Sequence, residues 1–251
     1  MISRVSRVSG GFQTLKAKVE LTPTAGSIYS GVIKEYRDIR AFILLEKPSR
    51  FRMIGQAPVL RSKIFDMVSD GENFGVYIPS KRKYIVGKNS IRRETKNKLE
   101  NLRPHHILTA ILLKEIDPNT ENCFIEESLE GLRRYYVVHV VSNGRDGGIR
   151  LERKIWFDRS DLEIKRVQRF GPDGAYLQDV RYDAYQDFNG TRYPTKIDVT
   201  RPKEDYRLGI LLQEVSFNEP MGPEKFVLDP PKSVEKLVLK EEESPEGVGD
   251  R

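Results

Sequence analysis

The sequence predicts a mainly β protein with some helix (α+β), whose strongly curved antiparallel sheet forms an incomplete, half-open β-barrel with helical cover on the concave side. Three observations predict it. Apolar and polar residues alternate along most of the 251 residues, which is the period of a strand. Turn chemistry separates these runs at short intervals. One interior segment breaks the pattern, the apolar run ILTAILLKEI at 107–116, in a chain whose mean hydropathy is −0.54. A helix apolar on nearly every side must be buried on several faces, and ten residues are too few to cross a bilayer. A sheet of roughly ten or more strands with one apolar face has to curl on itself or be covered. The curved sheet therefore gives the helix a place to lie.

Taken in order, Ile2, Val5 and Val8 fall at three-residue spacing and suit a short amphipathic helix stopped by Gly10-Gly11. Alternation then begins: TLKAKVEL puts Leu15, Ala17, Val19 and Leu21 on one face, and SRFRMIG faces Phe51 and Met53 opposite to Arg50 and Arg52. SDGEN (69–73) and PSKR (79–82) bracket the strand FGVYI, with Gly71 free to take a positive φ. Pro104 suits the first helical position, and Asp117-Pro118 is the expected stop of the helix. Beyond residue 122 strands follow one another, with Gly-Pro-Asp-Gly at 171–174 and Asn189-Gly190 as turns. In GGIRLERKIWFD, Ile149, Leu151, Ile155 and Phe157 share the expected core face, while Arg150, Glu152, Lys154 and Trp156 share a wet one.

The formal charge of +6 conceals an asymmetry: residues 1–240 carry 42 basic against 32 acidic side chains, a charge of +10. That balance favours anionic partners. The stretch SKRKYIVGKNSIRRETKNK (80–98) holds eight Lys or Arg against one Glu. It reads as a basic surface loop, with Lys81, Arg82, Lys83, Lys88, Arg92 and Arg93 available to an anionic membrane surface or an acidic partner. With Tyr84 as the one aromatic inside it, a stacking platform for nucleic acid is thin. The single cysteine, Cys123, excludes an internal disulfide. MISRVSRVSGG has no apolar signal-peptide core.

No nucleophile elbow, phosphate loop, dinucleotide fingerprint or HExxH motif occurs. His105 and His106 are helix neighbours whose side chains diverge by about 100°, and His139 reads as a strand residue. Cys123 has no activating group near it in sequence. The pairs Glu126-Glu127 and Asp158/Asp161 read as solvated strand and turn residues. The expectation is a non-enzyme without catalytic, cofactor or metal residues.

Four segments in register, AFILLEKPSRFRM (41–53), VSDGENFGVYIPSKRKY (68–84), WFDRSDLEIKRVQRF (156–170) and KFVLDPPKSV (225–234), resemble the bacterial LolA-like family of periplasmic lipoprotein carriers and outer-membrane lipoprotein-sorting proteins. The resemblance covers most of residues 1–234. It implies an open curved sheet with helices on its concave side, and a groove that binds lipid acyl chains or lipoproteins in the periplasm or at the outer membrane. A native product with an export or lipoprotein signal ahead of Met1, and envelope transport partners, would go with it. Strand parity names the groove candidates Phe51, Met53, Val76, Ile78, Leu151, Ile155, Phe157, Ile197, Val199, Leu208 and Ile210. Leu108, Ile111 and Leu112 are the expected lid residues. The family places an Arg against the lid just before the Pro of the first motif. Here Lys47 stands in that place, and Lys lacks the planar fork of donors. One such domain is expected over 1–234, followed by a flexible charged tail at 235–251. A sensor or interaction module on the same fold, which binds lipidated proteins or an envelope partner, is the alternative.

The energetics of such a carrier motivate a lid. One buried methylene is worth about 0.8 kcal/mol, so a long acyl chain would gain on the order of 10 kcal/mol and leave very slowly. A helix that fills the same concavity subtracts its own lost burial from that affinity.

Overall fold

The computed structural model describes residues 5, 11–25, 34–35, 39–91, 103–144 and 147–239. Ile2, Val8, Arg92 and Arg93 lie outside them; Val5 is helical and fully buried. The strands are β1 (Thr14–Ala25), β2 (Lys34–Glu35), β3 (Ile39–Glu46), β4 (Arg50–Gln56), β5 (Lys63–Ser69), β6 (Asn73–Ile78) and β7 (Lys83–Lys88). Helix α1 (Pro104–Ile111) follows, then β8 (Glu121–Glu130), β9 (Arg133–Asn143), β10 (Ile149–Asp158), β11 (Ile164–Phe170), β12 (Tyr176–Phe188), β13 (Thr191–Arg201), β14 (Tyr206–Phe217) and β15 (Glu235–Val238).

The fifteen strands of the described residues form one large curved open sheet in the order β15-β7-β6-β5-β4-β3-β1-β14-β13-β12-β11-β10-β9-β8, with β2 on β1. Two antiparallel meanders, β3 to β7 and β8 to β14, thus meet at β1, which pairs with β3 on one side and β14 on the other. The first strand is the keystone because Leu15, Ala17, Val19 and Leu21 are all buried in the core shared by both arms. A bulge between Lys18 and Val19 relative to β14 adjusts the pairing there.

The turns form where their chemistry indicates. Asn189 and Gly190 both take positive φ (52° and 86°), as a tight hairpin needs. Gly71 has φ 105°, and a Cβ there would lie 2.4 Å from Ser49 Oγ, so the S-D-G turn packs against the β3–β4 turn. Asp70 fixes the same turn by accepting from the Glu72 and Asn73 amides at 2.9 and 2.7 Å.

Three expectations need correction. A bulge in β10 between Leu151 and Arg153 reverses strand parity. Leu151 therefore pairs with Val141 on the outer face, and Ile149 is 77% exposed, whereas Arg153, Ile155 and Phe157 point to the core. The outer face is not wet throughout either: Trp156 is buried with Tyr135 and Val137, under the Arg166 guanidinium and bonded to Glu130. Finally, residues 235–239 do not belong to a tail. Glu235–Val238 runs parallel to β7, and Leu239 is buried in the core.

Candidate functional site

Helix α1 begins as its sequence indicates. Pro104 occupies the first turn, and the N-cap Arg103 is extended and buried, donating to the Ile91 carbonyl at 2.9 Å. The helix buries Ile107, Leu108, Ala110 and Ile111. It ends at Ile111, five residues short of the expected stop before Asp117-Pro118. The reason is competition for its carbonyls, because donors from the sheet take the places of the next turn's amides. Arg169 Nη2 donates to Thr109 O at 3.2 Å, Tyr182 Oη to Ala110 O at 2.8 Å, and Tyr193 Oη to Ile111 O at 2.7 Å. Gln178 Nε2 adds a bond to His106 O at 2.9 Å. The released segment stays extended: Arg153 donates to Glu115 O at 3.1 Å, the Asp117 amide donates to Glu121 at 3.1 Å, and Leu113 and Ile116 are buried.

All four donors come from three consecutive strands of one arm, β11 to β13. Burial raises the hydroxyl pKa of Tyr182 and Tyr193, which keeps them protonated donors. Toward β4 and β5 the attachment differs. Among the described residues no side-chain hydrogen bond joins α1 to either strand; the contact runs through the apolar cluster that contains Leu108, Ile111, Phe51, Met53 and Met67. The helix is thus bolted to one arm and greased against the other.

Two clefts flank it. The first, about 450 Å³, lies between the turns at Lys47, Pro48, Ser49 and Gly71 and the helix side of Leu108, Leu112 and Leu113. The second, about 530 Å³, is strongly cationic and shares His105, Thr109, Lys114 and Arg169 with the first.

The sequence-derived candidates distribute as follows. Phe51, Met53, Val76, Ile155, Phe157, Ile197, Val199, Leu208 and Ile210 are buried in one cluster with Leu108 and Ile111, with half-buried Ile78 and Leu112 packed against it. Leu151 is outside it. Lys47 places its ammonium 4.8 Å from the centre of the Phe12 ring, and burial lowers its pKa against the opposing charge of Glu115. Its backbone amide donates to Gln13. The basic stretch is not one loop: Lys81 ends a 3-10 turn, Arg82 follows it, and Lys83 and Lys88 bound β7, where Arg82 reaches Ser233 O at 3.3 Å.

The histidines have distinct partners. His106 Nδ1 lies 3.0 Å from Tyr206 Oη, and burial, with the charge of Arg201, holds its pKa well below the usual range. Burial and then Arg169 lower His105 likewise. His139 bonds Glu126 at 2.7 Å and stacks on Phe124. Glu127 pairs with Arg159, Asp158 caps its own turn through Ser160, and Cys123 packs against the core.

Tyr182, Tyr193, Gln178 and Arg169 are the positioning residues that strand parity alone did not single out. The signal was present as hydroxyl and amide groups on faces otherwise filled by Val180, Val167 and Ile197, since a buried polar group needs a partner.

No family model matches the chain, and no curated protein matches it. Solved structures do. A LolA superfamily protein from Nitrosomonas europaea is 12% identical over 90% of this chain and 96% of its own, with a TM-score of 0.57. A DUF1329 family protein from Desulfovibrio piger is 13% identical over 90% of this chain and 94% of its own, at 0.60. A domain described as an outer membrane lipoprotein-sorting protein from Vibrio parahaemolyticus is 11% identical over 90% and 94%, at 0.57. At these identities the likeness concerns architecture: the chain has a LolA-like fold.

Proposed function

We propose that the chain is a non-catalytic carrier of lipid acyl chains or lipoproteins that works in the periplasm or at the outer membrane. Its apolar groove is the concave side of the half-open barrel, and α1 is the plug that fills it when cargo is absent. The observation that carries this reading is the unequal attachment of α1. Four side-chain donors hold it to β11, β12 and β13, whereas among the described residues only apolar packing holds it to β4 and β5.

That inequality says which contact yields. Lifting the helix away from its own arm would strand several buried carbonyls, each at about 1–3 kcal/mol. Parting it from β4 and β5 breaks no hydrogen bond and gains an acyl chain's burial in exchange. The cleft of about 450 Å³ between Lys47 and Leu112 is where that parting begins, and its size is typical of ligand sites. The plug is therefore a wedge against the β3 to β7 arm, rather than a lid that swings free. The basic residues at 81–88 fit attraction to an anionic membrane surface or an envelope partner.

The test is displacement of a fluorescent fatty-acid probe. Leu112→Ser, on the cleft side of the helix, should change probe retention several-fold, and Tyr77→Phe, remote from α1, should not. Equal retention by wild type and Leu112→Ser would refute the wedge.

A further inference from the structure

We propose that the cationic cleft beside α1 seats a phosphate-bearing group, and that Arg169 is its principal ligand. Six cationic side chains line this cleft, Arg103, Lys114, Arg153, Arg169, Arg201 and Lys203, against the carboxylates of Glu152 and Glu204. Most of the six are already engaged. Arg153 forms a two-pronged pair with Glu121, at 2.7 and 2.8 Å, and Lys114 joins it at 2.9 Å. Arg201 pairs with Glu204, and Lys203 lies 3.9 Å from Asp173.

Arg169 is different. Among the described residues it has no carboxylate partner, and its one acceptor is the carbonyl of Thr109. Its Nε is sealed from solvent and has no acceptor among the described residues. Among the described residues the buried side-chain polar atoms that lack a partner are Asn89 Oδ1, Arg153 Nε and Arg169 Nε, and all three residues line this one cleft. A protein normally pairs such groups, and an uncompensated guanidinium is the costliest kind to leave. Unfilled donors on two guanidinium groups, set in a field that also lowers His105 and His106, suit a tetrahedral oxyanion that accepts along a fork. The unfilled Asn89 oxygen is an acceptor, which suits a hydroxyl on the same ligand.

Arg169, Thr109 and Lys114 also border the apolar cleft that contains Leu108 and Leu112. An anionic headgroup in one cleft thus continues directly into an acyl chain in the other, and in this respect the proposal rests on the carrier reading. A free phosphate ester has the same chemistry at the seat. The ligands are therefore chosen to separate the two sources.

Calorimetric titration of the wild-type chain with short-chain phosphatidylglycerol, diacylglycerol of equal chain length, and glycerol 3-phosphate gives the comparison. The phosphatidylglycerol should bind about tenfold or more tightly than diacylglycerol, and Arg169→Gln should abolish that margin, so that the variant no longer distinguishes the two lipids. Tight binding of glycerol 3-phosphate with no binding of either lipid would keep the anion seat and overturn the carrier reading. Equal wild-type affinity for both lipids would overturn the anion seat and leave the carrier reading intact. The wild-type comparison needs no variant, so a poorly folded Arg169→Gln leaves it decisive.

Discussion

Arg153 and Glu121 meet with both side chains about 4% exposed, and the Glu121 carboxylate also takes bonds from Lys114 and the Asp117 amide. Burial pushes that carboxyl up, but the hydrogen bonds from Arg153 and Lys114 outweigh it and bring it down to about 2. A carboxyl depressed in the folded state stabilises the fold above its unfolded value, near 4.5. That contribution should fade as pH falls from there toward 2. Glu121→Gln should cost about 3–5 kcal/mol in urea denaturation at neutral pH, because it leaves Arg153 buried and unpaired. It should also flatten the acid slope of stability; an unchanged slope would mean that another carboxylate governs it. Tyr182→Phe and Tyr193→Phe should each cost about 1–3 kcal/mol by leaving a helix carbonyl unmet. Amide exchange in α1 should quicken in both variants, and unchanged exchange would argue against the latch. Arg153 was legible in outline, as a charge at the parity of Ile155 and Phe157, which asks for a buried partner. Its partner was not, since Glu121 lies 32 residues away.

At the scale of elements, sequence periodicity located the strands well and their ends less well. Alternation in β1 and β4 placed Leu15, Ala17, Phe51 and Met53 in the core, where they are. In β10 the same reasoning failed at Leu151, because a bulge shifts parity by one residue and leaves no mark in composition. The end of α1 was similarly hidden. ILTAILLKEI carries no internal stop signal, and the helix ends where side chains from β11, β12 and β13 take its carbonyls. The charged composition after residue 234 concealed a strand that covers the free edge of β7. Ending the chain at Val234 should remove the buried Leu239, worth about 1.5–3 kcal/mol. It should also bare the β7 edge, seen as a lower urea midpoint and concentration-dependent association by light scattering. A truncated chain as stable as the full one would show that β15 is dispensable.

At the scale of the whole molecule, β1 joins two meanders into one open sheet, and α1 lies in the core they share while bonded to one of them. The fold class was readable because alternation, turn residues and the single apolar helix agree with one another. The asymmetry of the helix's attachment was not, because it depends on which strands face it, and only the folded chain supplies that. The asymmetry makes a specific claim about motion: cargo parts α1 from the β3 to β7 arm, while α1 and the β11 to β13 arm move as one body. Paired spin labels report it directly, with one label at Lys114 just past the helix and the second at Arg50 on β4 or at Asp183 on β12, all exposed side chains. On adding a long-chain fatty acid, the distance from Lys114 to Arg50 should lengthen and the distance from Lys114 to Asp183 should hold. Lengthening of the second distance, or no change in the first, would contradict the wedge.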